Sequence, residues 1–428
     1  MKYCIIGAGA AGLAAARRLK ERQIPFEILE KSNEVGGIWD ATSQDSPVYH
    51  STHLISSKPL TEYPGHPMPK EYEDYPHHSK VFEYFKSFAK TVELYPHIRF
   101  NTTVLKVDRT EKGHWAVALK DGTTQEYSGV ILASGFTVMP NLPVIPGNFT
   151  GETLHSKYYK SPEIFSGKRV LVIGAGNSGC DIAAEISKVA AKTYLSMRRG
   201  YHFIPKYLFG VPSDQFGELA LKLRVPMKVR QKINQTLLRM VMGRPEKYGF
   251  QKPDHRILES HPIINSHILK CAAKGEVIPK ADVVSYDGRR VRFQGNFEAE
   301  IDSILYATGY LPVFPYMDRK HLNWQNDHAE LYLHVFHSVY DNLFVLGMLQ
   351  PDSGVWGIFD AQSKAIAAYI SAQQKAPVRA ARFGEIKADL TEDRQLRQKY
   401  LSSLRHHFEV EHSHYLRRLK KVEKLLDF

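Results

Sequence analysis

Two glycine-rich turns, each set between an apolar run and a helical stretch, constrain this chain more than anything else in its sequence. In "KYCIIGAGAAGLAAARRL" the apolar run ends at Gly7, and Gly7, Gly9 and Gly12 fall in the spacing G-x-G-x-x-G. That order is a strand, a tight turn and a helix whose amino terminus offers free N–H groups and a positive dipole end to a pyrophosphate. Gly7 permits the turn, Gly9 lets backbone approach the ligand, and Gly12 lets helix lie on strand, while Ala10 and Ala11 open the helix without bulk. A second strand, "PFEILE", ends at Glu30, about 20 residues on, where a carboxylate can accept from ribose hydroxyls. Such an acid suits FAD and NAD alike.

The pattern returns in the middle of the chain. "KRVLVI" leads into Gly174, Gly176 and Gly179, with Asn177 and Ser178 heading the helical "CDIAAEI". The next strand, "KTYLSMRR", closes on Arg198 and Arg199 where the first unit has its acid. A guanidinium there favours a 2′-phosphate and an acid would repel one, so this unit is expected to take NADPH; the plainer reading leaves both arginines as a solvated strand end. Two unlike dinucleotide sites in one chain point to FAD and NADPH, with hydride passing from nicotinamide to flavin. A chain of 428 residues has room for two cores. The expected fold is α/β, with two doubly wound, Rossmann-like domains. Residues 1–150 and 300–428 would bind FAD, and 151–299, inserted between them, would bind NADPH and carry a helical excursion near 211–250.

Between the loops, "FTGETLHSKYYK" carries Phe149, Gly151, His155, Tyr159 and Lys160. It resembles the F-x-G-x-x-x-H-x-x-x-[YF]-K fingerprint of the flavin-containing monooxygenases, which are class B flavoprotein enzymes, here of the bacterial type. The resemblance runs through "EVGGIW" with Gly37, Ile38 and Trp39, through "YATGYLPVFPY" with Thr308, and through "DNLFVLG". It implies an enzyme in which NADPH reduces FAD and O2 adds at flavin C4a. The hydroperoxide then passes one oxygen atom to a soft nucleophile, an amine nitrogen or a sulfide sulfur, an activity like that on N,N-dimethylaniline. It also implies that Ile55, Ser56 and Val104 lie with the flavin, Ser56 being the side chain assigned to catalysis. At Ile55 the chain departs from the family, which carries Asn there, and Ile cannot donate a hydrogen bond. Either Ser56 or Ser57 takes over, or NADP+ alone protects the oxygenated flavin, or the protein is a poorly coupled NADPH oxidase. The related Baeyer–Villiger monooxygenases, which act on ketones, close the fingerprint with Trp and Pro or Asp, so Tyr159-Lys160 favours the amine- and sulfide-oxidising branch.

Other classes are disfavoured by what the sequence lacks. Cys4, Cys180 and Cys271 stand apart, without a C-x-x-C; this argues against a redox dithiol, and with it a disulfide reductase, and against a zinc site, so no metal is expected. The net charge of +12 is spread along the chain with no nucleic-acid module and reads as attraction for phosphorylated cofactors. No apolar run reaches the roughly 18 residues of a membrane span, and the chain enters a strand without a signal peptide, so a cytoplasmic protein is expected. A non-enzymatic NADPH sensor is the remaining rival; it would hold reduced flavin and release no product. Pro140, Pro143, Pro146 and Gly147 read as a stiff hinge, and His155 as a hydrogen-bonding strut or else a base. The basic tail from Asp393 reads as a surface helix on its own domain, with membrane-surface docking or a homodimer contact as alternatives.

Overall fold

The computed structural model describes the chain except residues 217–226, 258–261, 326–327, 392, 394–407 and 428. It divides into two compact units, one of Met1–Ser46, Ser56–Val138 and Pro312–Phe428, the other of Pro47–Ile55 and Met139–Leu311. The first unit begins with β1 (Tyr3–Ile6), α1 (Ala10–Glu21), β2 (Phe26–Leu29), α2 (His78–Thr91), β3 (Ile98–Arg99) and β4 (Gly129–Leu132). The second holds β5 (Glu152–His155), β6 (Arg169–Ile173), α3 (Asn177–Ile186), β7 (Lys192–Ser196), β8 (Val277–Lys280) and β9 (Ser303–Tyr306). The chain then returns to the first unit with β10 (Leu343–Val345), α4 (Trp356–Lys375) and α5 (His412–Leu426).

The main sheet of the first unit runs β3-β2-β1-β4-β10, all parallel, and two short antiparallel strands, Phe336–His337 and Leu331–Tyr332, extend it beyond β10. The second unit repeats the order as β8-β7-β6-β9-β5, again parallel. The two registers coincide: Ile6 lies beside Leu29 and Leu132, and Ile173 beside Ser196 and Tyr306. Parallel strands covered on both faces need near-continuous apolar sequence. "CII", "VIL" and "VLV" supply it, with Cys4, Ile5, Val130, Ile131, Leu171 and Val172 fully buried.

Each glycine-led helix covers the sheet it springs from. α1 turns Leu13, Ala14, Ala15, Ala16 and Leu19 inward, small enough for close approach. A buried ion pair fastens it to α4, Arg18 Nε donating to Asp360 Oδ1 at 2.8 Å and Nη2 to Oδ2 at 2.5 Å. Bidentate pairing of this kind keeps a guanidinium satisfied once burial has removed its water. The described end of the basic tail, α5, buries Tyr415, Leu419, Val422 and Leu426 against its own unit, and Arg418 pairs with Asp393. The tail's helix thus packs on its own domain, while 394–407 fall outside the described residues.

The unit boundaries differ from the sequence expectation. Met139–Pro140 pairs with Tyr310–Leu311, and Gly147–Phe149 with Tyr286–Gly288, so the proline stretch expected to be a hinge contributes strands to the second unit. Residues 47–55 join that unit too, for reasons given below. Within the expected excursion Met227–Met242 is a helix, and 217–226 lie outside the described residues. Among the described residues no helix is long and apolar enough to cross a membrane.

Candidate active site

In the first unit the loop after β1 is shaped one glycine at a time. Gly7 has φ +105°, and a Cβ on it would stand 2.8 Å from Ala133 O. A Cβ on Gly12 would stand 1.9 Å from Gly7 O, so turn and helix can touch only because neither carries a side chain there. Gly9 is different: its φ is −78°, and an added Cβ would meet nothing nearer than Gly37 Cα at 3.5 Å. Leu13 N–H reaches Gly9 O at 3.0 Å, and the helical N–H groups ahead of it have no intrahelical acceptor. Gly36 and Gly37 of "EVGGIW" close this cradle, Gly36 N–H donating to Ala8 O at 3.0 Å and a Cβ on Gly37 falling 2.9 Å from Gly9 Cα. Beside them Ile38 is exposed, and Trp39 meets Trp356 edge-on.

Glu30 completes the loop. It is buried, its Oε2 accepting from Ala8 N–H at 2.6 Å and its Oε1 from Ser32 N–H at 2.8 Å. Each oxygen keeps lone-pair capacity for a ribose hydroxyl. Thr102 N–H donates to Glu30 O at 2.8 Å and brings the chain leading to Val104, first residue of the strand Val104–Arg109, against the end of β2. Open helical donors, a fixed carboxylate and a cradle free of side chains fit the pyrophosphate and ribose of FAD.

The second unit repeats this geometry closely. Gly174 has φ +105°, and its added Cβ would stand 2.4 Å from Ala307 O; on Gly179 it would stand 1.8 Å from Gly174 O. Gly176 precedes α3 at φ −73°, as Gly9 precedes α1, and Cys180 N–H reaches Gly176 O at 2.9 Å. Asn177 Oδ1 accepts from Ile264 N–H at 2.7 Å, and Ser178 is exposed. The shared register corrects one expectation. Gly7 N–H bonds Leu29 O as Gly174 N–H bonds Ser196 O, and Glu30 N–H bonds Arg99 O as Met197 N–H bonds Lys280 O. The residue in the place of Glu30 is therefore Met197, which is buried, while Arg198 and Arg199 follow it, the first exposed and the second half-buried.

The wall of the second loop, at Thr308, is the one expected from sequence, and the first loop has a matching wall that was not expected. β4 ends in Ala133-Ser134-Gly135 and β9 in Ala307-Thr308-Gly309; φ is +73° at Gly135 and +80° at Gly309, and both glycines face open space. The signal was present, since "LASGF" repeats "YATGY". The Thr308 hydroxyl donates to Asn141 O, so what this position offers a ligand is backbone.

The fingerprint residues have work inside the second unit. His155 Nδ1 accepts from Lys157 N–H at 3.1 Å, so Nε2, 3.1 Å from Gly309 O, carries the proton and donates it. Burial lowers the pKa of this ring. It is a neutral strut, with no lone pair left for a base. The Tyr159 hydroxyl donates to Glu185 Oε2 at 2.6 Å, Lys160 Nζ to Val48 O at 2.9 Å, and His50 N–H to Lys160 O at 2.9 Å. With the Tyr49 hydroxyl on Asp181 Oδ2 at 3.3 Å, the two Lys160 bonds strap 47–55 to the second unit and explain why it is counted there.

The family model described as "Flavin-binding monooxygenase-like" matches residues 1–426. The chain belongs to that family. Flavin-containing monooxygenase 2 of Homo sapiens is 30% identical over 387 residues, covering 85% of this chain and 72% of the human protein. Among solved structures, the S-allyl-L-cysteine S-oxygenase of Allium sativum aligns with TM-score 0.70 at 20% identity, covering 99% of this chain and 88% of that one. A cyclohexanone monooxygenase aligns with TM-score 0.71 at 18% identity, covering 99% and 98%. Likeness at those identities is one of fold, and a fold hosts many chemistries. The protein is a flavin monooxygenase that uses FAD and NADPH.

In this flavin monooxygenase Ile55 is 37% exposed, and the serine after it does not offer what the sequence reading asked of it. Ser56 Oγ lies 2.7 Å from Thr61 Oγ1, while the Thr61 hydroxyl donates its one proton to Ser57 O at 2.9 Å. Ser56 must therefore donate to Thr61, and toward any further group its oxygen can only accept. It cannot replace an amide donor. Ser57 is buried at the head of the short helix Lys58–Thr61, and beyond that helix the Tyr63 hydroxyl donates to Ala10 O, tying the segment to the first turn of α1.

Proposed function

We propose that this flavin monooxygenase transfers one oxygen atom from O2 to a soft nucleophile, an amine nitrogen or a sulfide sulfur, with FAD on the first glycine loop and NADPH on the second. The observation that supports this most is the pair of loops. Their backbones match, but one is completed by the buried carboxylate of Glu30 and the other by Met197 with two arginines behind it, which is the difference that separates a ribose hydroxyl from a ribose phosphate.

Bound FAD supplies the redox chemistry, taking hydride from NADPH and activating O2 once reduced. The chain binds and orients. Gly7, Gly9 and Gly12 with the amides of Ala10 and Ala11 receive the flavin pyrophosphate, Glu30 receives the ribose, and Gly37, Ile38, Trp39, Ile55, Ser56 and Val104 line the flavin's surroundings. Gly174, Gly176, Asn177, Ser178 and Gly179 receive the NADPH pyrophosphate, Arg198 and Arg199 its 2′-phosphate, and Thr308 offers backbone. None of these acts as acid or base on the substrate, which suits a reaction whose nucleophile is the substrate's own lone pair. The reading includes a cytoplasmic place, which the three buried free thiols suit.

The test offers purified protein N,N-dimethylaniline, a thioether and a cyclic ketone, following NADPH consumption and product mass. An N-oxide or sulfoxide is expected. A lactone formed in preference would make the enzyme a Baeyer–Villiger monooxygenase, and NADPH consumed with peroxide as sole product would make it an oxidase.

A further inference from the structure

The two loops differ at the N–H that follows the first glycine. In the first, Ala8 N–H donates to Glu30 Oε2 at 2.6 Å, so a side-chain anion joins the turn to the end of β2. In the second, Ala175 follows Gly174 as Ala8 follows Gly7, and Met197 holds the register place of Glu30. Ala175 N–H donates to no protein group among the described residues. Ala175 and Met197 are both buried, 1% and 2% exposed, and both belong to the apolar core beneath α3. An N–H left without an acceptor in such surroundings is unfavourable, and it marks the spot where the other loop places a carboxylate.

We infer that Met197 is a specificity-determining residue for the nicotinamide donor, and that the arginine pair does not set the preference alone. An acid at this register would do two things. It would accept from ribose hydroxyls, as Glu30 can, and so hold a nucleotide lacking the 2′-phosphate; it would also repel a nucleotide that has one. Met197 does neither. The site thereby gives NADH no ribose acceptor and leaves the field of Arg198 and Arg199 unopposed at the phosphate. The inference rests on the second loop being the NADPH site.

The probes are 2′,5′-ADP and 5′-AMP, titrated calorimetrically into FAD-loaded protein, because they carry the adenosine end of the two donors and need no turnover. Wild type should bind 2′,5′-ADP the more tightly. Met197→Glu should weaken 2′,5′-ADP and tighten 5′-AMP, lowering the ratio of affinities at least tenfold, with flavin content unchanged; the unpaired Ala175 N–H is ready to receive the new carboxylate. If a buried charge proves too costly for folding, Met197→Gln, near in size and neutral, should tighten 5′-AMP about threefold through its amide oxygen and leave 2′,5′-ADP bound. A folded variant with the wild-type ratio overturns the role of Met197 while leaving the site where it is. A wild type that binds both probes alike overturns the placing of NADPH on this loop and the inference with it.

Discussion

A methyl group added at Gly9 and one added at Gly12 would be felt by different things. On Gly12 it would strike Gly7 O at 1.9 Å, a clash within the protein. On Gly9 it would find Gly37 Cα at 3.5 Å, an ordinary contact, and otherwise occupy space that the protein leaves empty. Gly9→Ala should therefore fold, with the melting temperature of wild-type apoprotein, and purify colourless. Gly12→Ala should lose stability, by about 1–3 kcal/mol or more, with or without flavin. Flavin absorbance and melting of the apoproteins check both, and a folded Gly9→Ala with full flavin would place the pyrophosphate elsewhere. The proton count at Ser56 bears on coupling in the same local way. Ile55 donates nothing and the Ser56 proton is committed to Thr61, so wild type should release hydrogen peroxide when it oxidises NADPH without substrate. Ile55→Asn should lower peroxide per NADPH severalfold, whereas Ser56→Ala should leave it nearly unchanged. A rise on Ser56→Ala would show that the hydroxyl donates after all.

Elements were legible in the sequence where a local rule fixes them. Glycine spacing after an apolar run located β1, α1, β6 and α3, because the turn, the helix start and the strand–helix contact lie within six residues. Strand ends were less legible. The place opposite Glu30 was read as arginine, yet hydrogen bonding of β7 to β6 and β8 assigns it to Met197, and no spacing rule carries the register of neighbouring strands. Residues 47–55, expected within the first domain, belong to the second unit for the same reason, since Lys160 and Asp181, which hold them, are distant in sequence. The fingerprint was visible as a pattern, and the structure adds what its histidine does. A glutamine can make both of the His155 bonds, its amide oxygen accepting from Lys157 N–H and its NH2 donating to Gly309 O. His155→Gln should keep flavin reduction by NADPH within about fivefold of wild type and leave its pH profile unmoved. His155→Ala leaves both backbone groups unpaired, for about 1–3 kcal/mol of stability each. Loss of reduction in a folded, flavin-loaded His155→Gln would restore the case for proton transfer.

At the scale of the whole molecule, acid should weaken the two units unequally. His337 lies 1% exposed in the first unit, Nδ1 accepting from Val339 and Tyr340 N–H at 3.1 and 2.8 Å, so Nε2 carries the proton, with no acceptor among the described residues. Burial, then the charges of Lys387, Arg109 and His321, push its pKa down to about 4, Asp341 opposing them. The folded value is below the unfolded one of about 6.5, so the unfolded chain takes up the proton first as pH falls. Stabilisation from the neutral ring is complete above about pH 6.5 and drains away down through pH 4, up to about 3 kcal/mol in all. Buried carboxyls oppose this loss in both units, Asp352 in the first and Asp181 in the second, and His155, lowered by burial, acts in the second in the same sense as His337; the large lowering of His337 is what sets the first unit apart. Burial raises the Asp181 carboxyl above its ordinary value, so its contribution is fully present below the unfolded carboxylate pKa and is lost as pH rises through the folded one. Hydrogen exchange of the holoenzyme between pH 7 and 4.5, resolved by peptide, should show protection falling first in β10, α4 and the strand Phe336–His337, ahead of β6, β7 and α3. His337→Gln should flatten the acid limb in the first unit by about 2–3 kcal/mol while lowering its neutral plateau. Equal loss in both units, or an acid limb unchanged in His337→Gln, would assign the sensitivity to other groups.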